Sequence, residues 1–318
     1  MLEATGLNRS ADRVFQNMLQ RSDALGIRAV AADCGASVLD CGVETSGGLE
    51  AGVEFARLCL ADRARVSVVA GDRSIWKGPW VQVQTDDPVR ACILGQYAGW
   101  PVQHDGFFAM GSGPMRVRRG KEPVLEELST RDADSIAVGT LECDQLPSDA
   151  AMESMAAECG VDASDLRVAV APTRSVAGCV QVVARSVETS LHKLHDLGFP
   201  IEQVQAGFGY APLCPPTPSF AKGIGRTNDA ILYGGHVTLW IDGDDEQIAE
   251  AGQRLPSIAS KDYGEPFAEI FKRCDNDFYK IDPGLFSPAE IELLNVSTGR
   301  SFCFGGMRAD LVESSFRS

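Results

Sequence analysis

At 318 residues, 44% hydrophobic and 23% charged, the chain has the composition of a soluble globular protein and the length of two domains or one large one. A formal net charge of −15 excludes the basic footprint that a nucleic-acid partner requires. No apolar run reaches the roughly 20 residues of a membrane span, the N-terminal stretch lacks a signal-peptide core, and ten cysteines without a C-x-x-C pair read as small buried hydrophobes, not as a disulfide framework or zinc ribbon; a cytoplasmic protein is expected.

Residues 9–25 read as an amphipathic helix with Val14, Met18, Leu19 and Leu25 on its apolar side. Strands are expected at 27–32 and 36–43, a turn at 44–48, and a helix with a small-residue face at 49–61. Residues 64–70 and 80–84 read as buried strands. Thr85-Asp86-Asp87-Pro88 then opens a helix running to residue 98, by the signal of a polar cap followed by proline. Residues 104–114, HDGFFAMGSGP, read as a loop. A helix is expected at 121–130, a strand at 134–142, a helix capped by Ser148 at 147–159, and a strand at 166–170.

Residues 171–198 read as one long helix. Thr173 or Ser175 caps it, Gly198 ends it, and Pro200 follows. After it come an extended stretch at 204–209 and a Pro-rich loop at 212–218. GIGRTND at 223–229 precedes a short element at 230–233. An alternating strand at 236–241 is followed by a turn at 242–245, a helix within 262–271 and a short extended piece at 279–281. Segments at 288–296 and 301–304 close the chain. Alternating helices and strands give an α/β class (α+β with mixed sheets). A small-residue helix followed by a strand, a loop and a Thr-Asp or Thr-Asn-Asp start occurs twice, either as two similar halves or as common α/β grammar. The glycines match no dinucleotide fingerprint and no P-loop.

The helix at 171–198 carries the most chemistry. At about 100° per residue, Val183, Val187, Leu191 and Leu194 share one side, and Arg185, Glu188, His192 and His195 share an arc on another. Arg185 and Glu188, three apart, read either as a surface ion pair or as a carboxylate base held by a guanidinium. In the second case the arginine favours the ionised carboxylate and burial opposes it, a balance suited to activating water. Glu188, His192 and His195 share a face but lack the H-E-x-x-H order of a metal helix, so no metal is expected. Gly111-Ser112-Gly113 reads as a tight turn or as backbone donors for an anion or a polar ring edge. Thr227-Asn228-Asp229 reads as a helix cap or as donors and acceptors for a heterocycle. Thr85-Asp86 reads as a cap first and a ligand second.

Long stretches of the chain resemble the methenyltetrahydromethanopterin cyclohydrolase family. They include AADCG, GGLEAGVEFARLCLA, TDDPVRACILGQYAGW, FFAMGSGPMR, VAPTRSVAGCVQVVARSVETSLHKLHDLGF, GIGRTNDAILYGG, DYGEPFAEIFKRCDNDFYKIDPGLFSPAEI and NVSTG. The resemblance implies two α/β domains enclosing an interdomain substrate cleft, taken as residues 1–160 and 161–318. It implies hydrolysis of 5,10-methenyltetrahydromethanopterin to the 5-formyl derivative by a metal-independent homotrimer. Tetrahydromethanopterin, or a dephospho form, is then the one-carbon carrier and substrate, with no bound cofactor. The ARxxE run makes Arg185 and Glu188 the catalytic pair. Thr85, Asp86, Gly111, Ser112, Gly113, Arg226, Thr227, Asn228 and Asp229 become candidate substrate contacts. The chain departs from the family pattern at Arg174 and in the LCPPTPSF loop. The alternative class is a non-catalytic pterin-binding protein of the same fold.

Overall fold

The computed structural model describes residues 6–128, 130 and 132–317. In chain order the elements begin with α1 (Leu7–Gln20), α2 (Ser22–Leu25), β1 (Arg28–Ala31), β2 (Ser37–Asp40), α3 (Leu49–Cys59), β3 (Arg65–Ala70) and β4 (Pro79–Thr85). A π-helix (Val89–Gln96) precedes β5 (Trp100–His104), β6 (Phe107–Ser112), α4 (Met115–Arg119), α5 (Pro123–Glu127), β7 (Ala137–Glu142), α6 (Asp149–Cys159), β8 (Leu166–Ala171) and α7 (Val176–Val183). Then follow α8 (Ser186–Asp196), β9 (Val204–Pro212), α9 (Phe220–Gly234), β10 (His236–Ile241), α10 (Asp245–Arg254), α11 (Phe267–Arg273), β11 (Glu290–Asn295), β12 (Ser301–Gly305) and α12 (Ala309–Arg317).

The chain forms two compact units. One comprises Met1–Ala64 and Arg90–Gln181, the other Arg65–Val89 and Val182–Ser318. The first holds a six-stranded sheet ordered β1-β2-β8-β7-β6-β5. Its central pairs β2–β8 and β8–β7 are parallel, and the outer pairs are antiparallel. A parallel centre must be covered on both faces, and β8 shows how the sequence achieves this. Leu166, Val168 and Val170 pack with Met152 and Met155 of α6. Ala169 and Ala171 point the other way, to Phe15 and Met18 of α1 and Phe55 and Leu58 of α3.

The second unit holds a six-stranded sheet ordered β12-β11-β10-β9-β4-β3, in which only β10–β11 is parallel. Helix α8 lies close over β9. A Cβ at Gly207 would meet Val187 at 2.7 Å, and one at Gly209 would meet the Ser186 hydroxyl at 2.5 Å. The two glycines of GFG are what let helix and strand approach so closely.

Several expectations change. Residues 104–114 are not a loop: β5 and β6 form a hairpin turned by Asp105-Gly106, both at positive φ. Asp-Gly suits such a turn because a right-twisted hairpin needs two left-handed residues. The helix after Pro88 is a π-helix. GIGRTND lies inside α9, whose cap is Ser219, accepting from Lys222 N–H. The helix expected at 121–130 is only α5, and its residue 129 falls outside the described residues. Tyr279 and Lys280 belong to a 3-10 turn, and only Ile281 is extended as expected; α4, α10 and α12 carry no signal that the sequence reading uses. The helix at 171–198 is two helices, α7 and α8. Its ends are as expected: Ser175 Oγ accepts from Gly178 N–H at 3.0 Å, and Gly198 at φ +78 closes α8 with Phe199 N–H donating to Leu194 O. No helix among the described residues is long and apolar enough to cross a membrane.

Candidate functional site

The break between α7 and α8 falls at Ala184-Arg185. Three valines (Val180, Val182 and Val183) crowd the end of α7, and β-branched side chains are the least comfortable there. Arg185 N–H then bonds to Val182 O, one residue short of α-helical spacing. The Thr189 and Ser190 hydroxyls both donate to Ser186 O, a back-bonding pattern that bends helices. Arg185 therefore stands as the residue before α8, at φ −87 and ψ 6, and Glu188 sits in the first turn. The helix N-terminus favours negative charge there. A continuous helix would have placed Glu188 mid-helix, without that field.

Both side chains are buried: Arg185 is 7% exposed and Glu188 4%. A surface ion pair is thereby excluded. Val183, Val187, Leu191 and Leu194 are fully buried on the opposite side, each contributing on the order of 1.5–3 kcal/mol by leaving water. The imidazoles of His192 and His195 lie 3.5 Å and 3.9 Å from the Asp196 carboxylate. Among the described residues no three His, Cys, Asp or Glu side chains are grouped as a metal would need.

The other candidates are spread over both units. Thr85 is buried and its hydroxyl accepts from Asp87 N–H at 3.0 Å, while Asp86 is exposed. Gly111 and Ser112 lie in β6, where Gly111 pairs with Leu141 and Ser112 with Thr140. Gly113 follows at φ +92 and donates its N–H to Gly95 O at 2.8 Å.

Arg226 is half-buried. It donates to Pro215 O, Pro216 O and Ser315 O, each at 3.3 Å, so it ties the Pro-rich loop to α12. The Thr227 hydroxyl donates to Gly223 O and Ile224 O within its own helix. Asn228 Nδ2 donates to Ile224 O. Asp229 is fully buried and accepts from Phe267 N–H at 2.8 Å, so it caps α11 from a neighbouring helix. Burial pushes its carboxyl up to about 7, against the opposing pull of Ser315 and of the Phe267 N–H.

Two buried polar groups carried no signal in the sequence. Lys193 of α8 donates to Pro256 O at 3.1 Å and to Gly284 O. Burial lowers its ammonium to about 8, against the opposing attraction of the Asp282 carboxylate. Gln181, near the end of α7, donates to Glu142 Oε2 at the end of β7 at 2.7 Å. Spacing along a helix does not announce partners from distant loops and strands, so neither could be read from the residues alone.

The sequence model of the cyclohydrolase (MCH) family matches residues 6–316, which includes both mixed sheets and the buried Arg185 and Glu188. The chain is 50% identical to the methenyltetrahydromethanopterin cyclohydrolase of Rhodopirellula baltica, over 98% of this chain and 94% of the relative. It is 42% identical to that of Methylobacillus flagellatus (98% and 95% covered) and 39% identical to that of Methanosarcina barkeri (98% of each). The chain belongs to the methenyltetrahydromethanopterin cyclohydrolase family.

Proposed function

We propose that the chain hydrolyses 5,10-methenyltetrahydromethanopterin to 5-formyltetrahydromethanopterin, with Glu188 as general base and Arg185 as its holder. The observation that carries the site assignment is the burial of both residues at the first turn of α8. The methenyl carbon lies between N5 and N10, which share a positive charge. It is already electrophilic, so the enzyme must place a water about 3 Å away and accept its proton. Glu188 takes that proton as the C–O bond forms. The C–N10 bond then breaks, and protonated Glu188 returns the proton to N10. Loss of the remaining hydroxyl proton leaves the formyl C=O, so one proton is released overall. Arg185 orients the carboxylate throughout.

Recognition of the pterin edges is assigned to Thr85, Asp86, Gly111, Ser112 and Gly113, and to the half-buried Arg226 and Asn228. Thr227 and Asp229 contribute by fixing α9 and α11. The homotrimer, independence from metal and cytoplasmic location belong to the same reading. Light scattering at a single trimer mass, and full turnover after chelation, are the expected results for the first two. The central test follows loss of the methenyl chromophore with purified protein, on tetrahydromethanopterin and tetrahydrofolate derivatives side by side. Turnover of the methanopterin derivative by wild type, lost in Glu188→Gln, is the expected result. Wild-type turnover in a folded Glu188→Gln variant sinks the base assignment.

A further inference from the structure

Arg116, in α4, is fully buried and lies outside every role assigned so far. Its guanidinium uses its donors in two directions. Nε donates to Glu122 Oε1 at 2.9 Å and Nη2 to Glu122 Oε2. Nη1 donates to Ile93 O at 3.1 Å and to Gly95 O at 3.2 Å. Both carbonyls belong to the π-helix, which closes with Tyr97 N–H donating to Cys92 O. The wider i→i+5 bonding of a π-helix is uncommon and costs regularity, and it occurs mostly where function needs it. The Tyr97 ring stacks against the same guanidinium, 4.9 Å from its carbon.

The Gly95 carbonyl accepts a second bond, from Gly113 N–H at 2.8 Å. Arg116 and Gly113 thus meet at one oxygen. Gly113 packs directly on the next strand: a Cβ there would stand 2.8 Å from Gly139 Cα. A shift of the π-helix end is therefore passed to residues 111–113.

We propose that Arg116 is a positioning residue for the substrate-binding segment Gly111, Ser112 and Gly113, acting through the carbonyl of Gly95. This rests on the assignment of that segment to pterin recognition. A planar guanidinium fits the task because it holds a carboxylate with one edge and two carbonyls with another. Lysine can reach only part of that set.

The test is steady-state methenyl hydrolysis by the full chain carrying Arg116→Met, Arg116→Lys or Ser112→Ala. Loss of charged hydrogen bonds at a binding wall is expected to raise KM about tenfold in Arg116→Met. The same variant should leave kcat and its pH profile near wild type, since Glu188 is untouched, and Arg116→Lys should recover part of the KM. A purely structural arginine would lower the melting temperature and the active fraction without moving KM, and an unchanged KM in folded Arg116→Met overturns the proposal. If Arg116→Met does not fold, Glu122→Gln replaces it. It loosens the clamp while keeping its shape, so a smaller rise in KM is expected and no rise overturns the proposal. Should Ser112→Ala leave KM unmoved, the binding assignment itself fails, and the proposal falls with it. If Ser112→Ala raises KM and Arg116→Met does not, only the positioning role is lost.

Discussion

Helices α8 and α9 each carry a polar cluster within otherwise apolar surroundings, and the two clusters are placed in opposite ways. Arg185 and Glu188 stand at the start of α8, beside a break in the backbone, where the end of one helix and the first turn of the next expose polar termini. Thr227, Asn228 and Asp229 stand in the interior of the 15-residue α9. There the hydroxyl and the amide bond back to their own helix, and the carboxyl caps α11. In a helix interior, nearby carbonyls and neighbouring helices claim a side chain's polar atoms; at a helix start the backbone N–H groups without intrahelical partners favour a carboxylate beside them.

The largest expected effect tests the first half of that contrast. Glu188→Gln keeps the shape and the burial but removes the carboxylate proposed as the base, so turnover should fall about 10²–10⁴-fold, with an unchanged thermal melt showing that the fold survives. On the proposed pairing, Arg185→Ala should lower turnover as well and displace the pH profile of the rate. A pH profile that stays in place would mean that Arg185 only packs.

The helix–strand contact beneath the pair comes next. Gly209→Val puts a branched side chain where even a Cβ would sit 2.5 Å from the Ser186 hydroxyl. Overpacking of this kind costs about 1–3 kcal/mol, and here it should lift the first turn of α8. Chemical denaturation and turnover should both register it. A variant as stable and as active as wild type would show that α8 can slide without consequence.

How much of this was legible follows from where the signals are local. The faces of α8 were readable because a 3.6-residue period writes burial into neighbouring positions, and Val187, Leu191 and Leu194 are indeed fully buried. The break at Ala184-Arg185 was not, because apolar periodicity runs through it and only the valine crowding hints at a stop. The Asp105-Gly106 hairpin was present in two residues but was masked by the glycines and phenylalanines around it. The interior placement of 223–229 was hidden because Gly-Ile-Gly reads as loop, while a helix packed against others takes glycine where neighbours crowd: a Cβ at Gly225 would meet Ala268 at 2.9 Å. The family resemblance supplied what spacing could not, namely that an Arg-x-x-Glu pair is more than a surface contact.

Asp229 tests the second half of the contrast through pH. In the folded chain its carboxyl stays protonated up to about 7, whereas in the unfolded chain it ionises near the ordinary aspartate value. The unfolded state therefore binds fewer protons over the interval from about 4 to about 7, and stability falls as pH rises through it. Asp229→Asn has no proton to lose. Its stability relative to wild type should rise across the same interval, measured by urea unfolding at pH 4.5 and pH 7.5. A difference that does not change with pH would mean that the carboxyl is ionised throughout, held by partners stronger than the Phe267 N–H.

The smallest effect is the most discriminating. Thr227→Val removes one buried hydroxyl and keeps the volume. That hydroxyl is a second donor to Gly223 O and Ile224 O, carbonyls that the α-helical ladder of α9 already engages. No buried acceptor is orphaned by its loss, so stability should change by no more than about 1 kcal/mol. KM for the methenyl substrate should stay at the wild-type value. A severalfold rise in KM would mean that the hydroxyl turns from its own helix to the substrate on binding. The interior of α9 would then be a reserve of donors, held by weak back-bonds until the pterin arrives, and the contrast with α8 would be one of timing, not of kind.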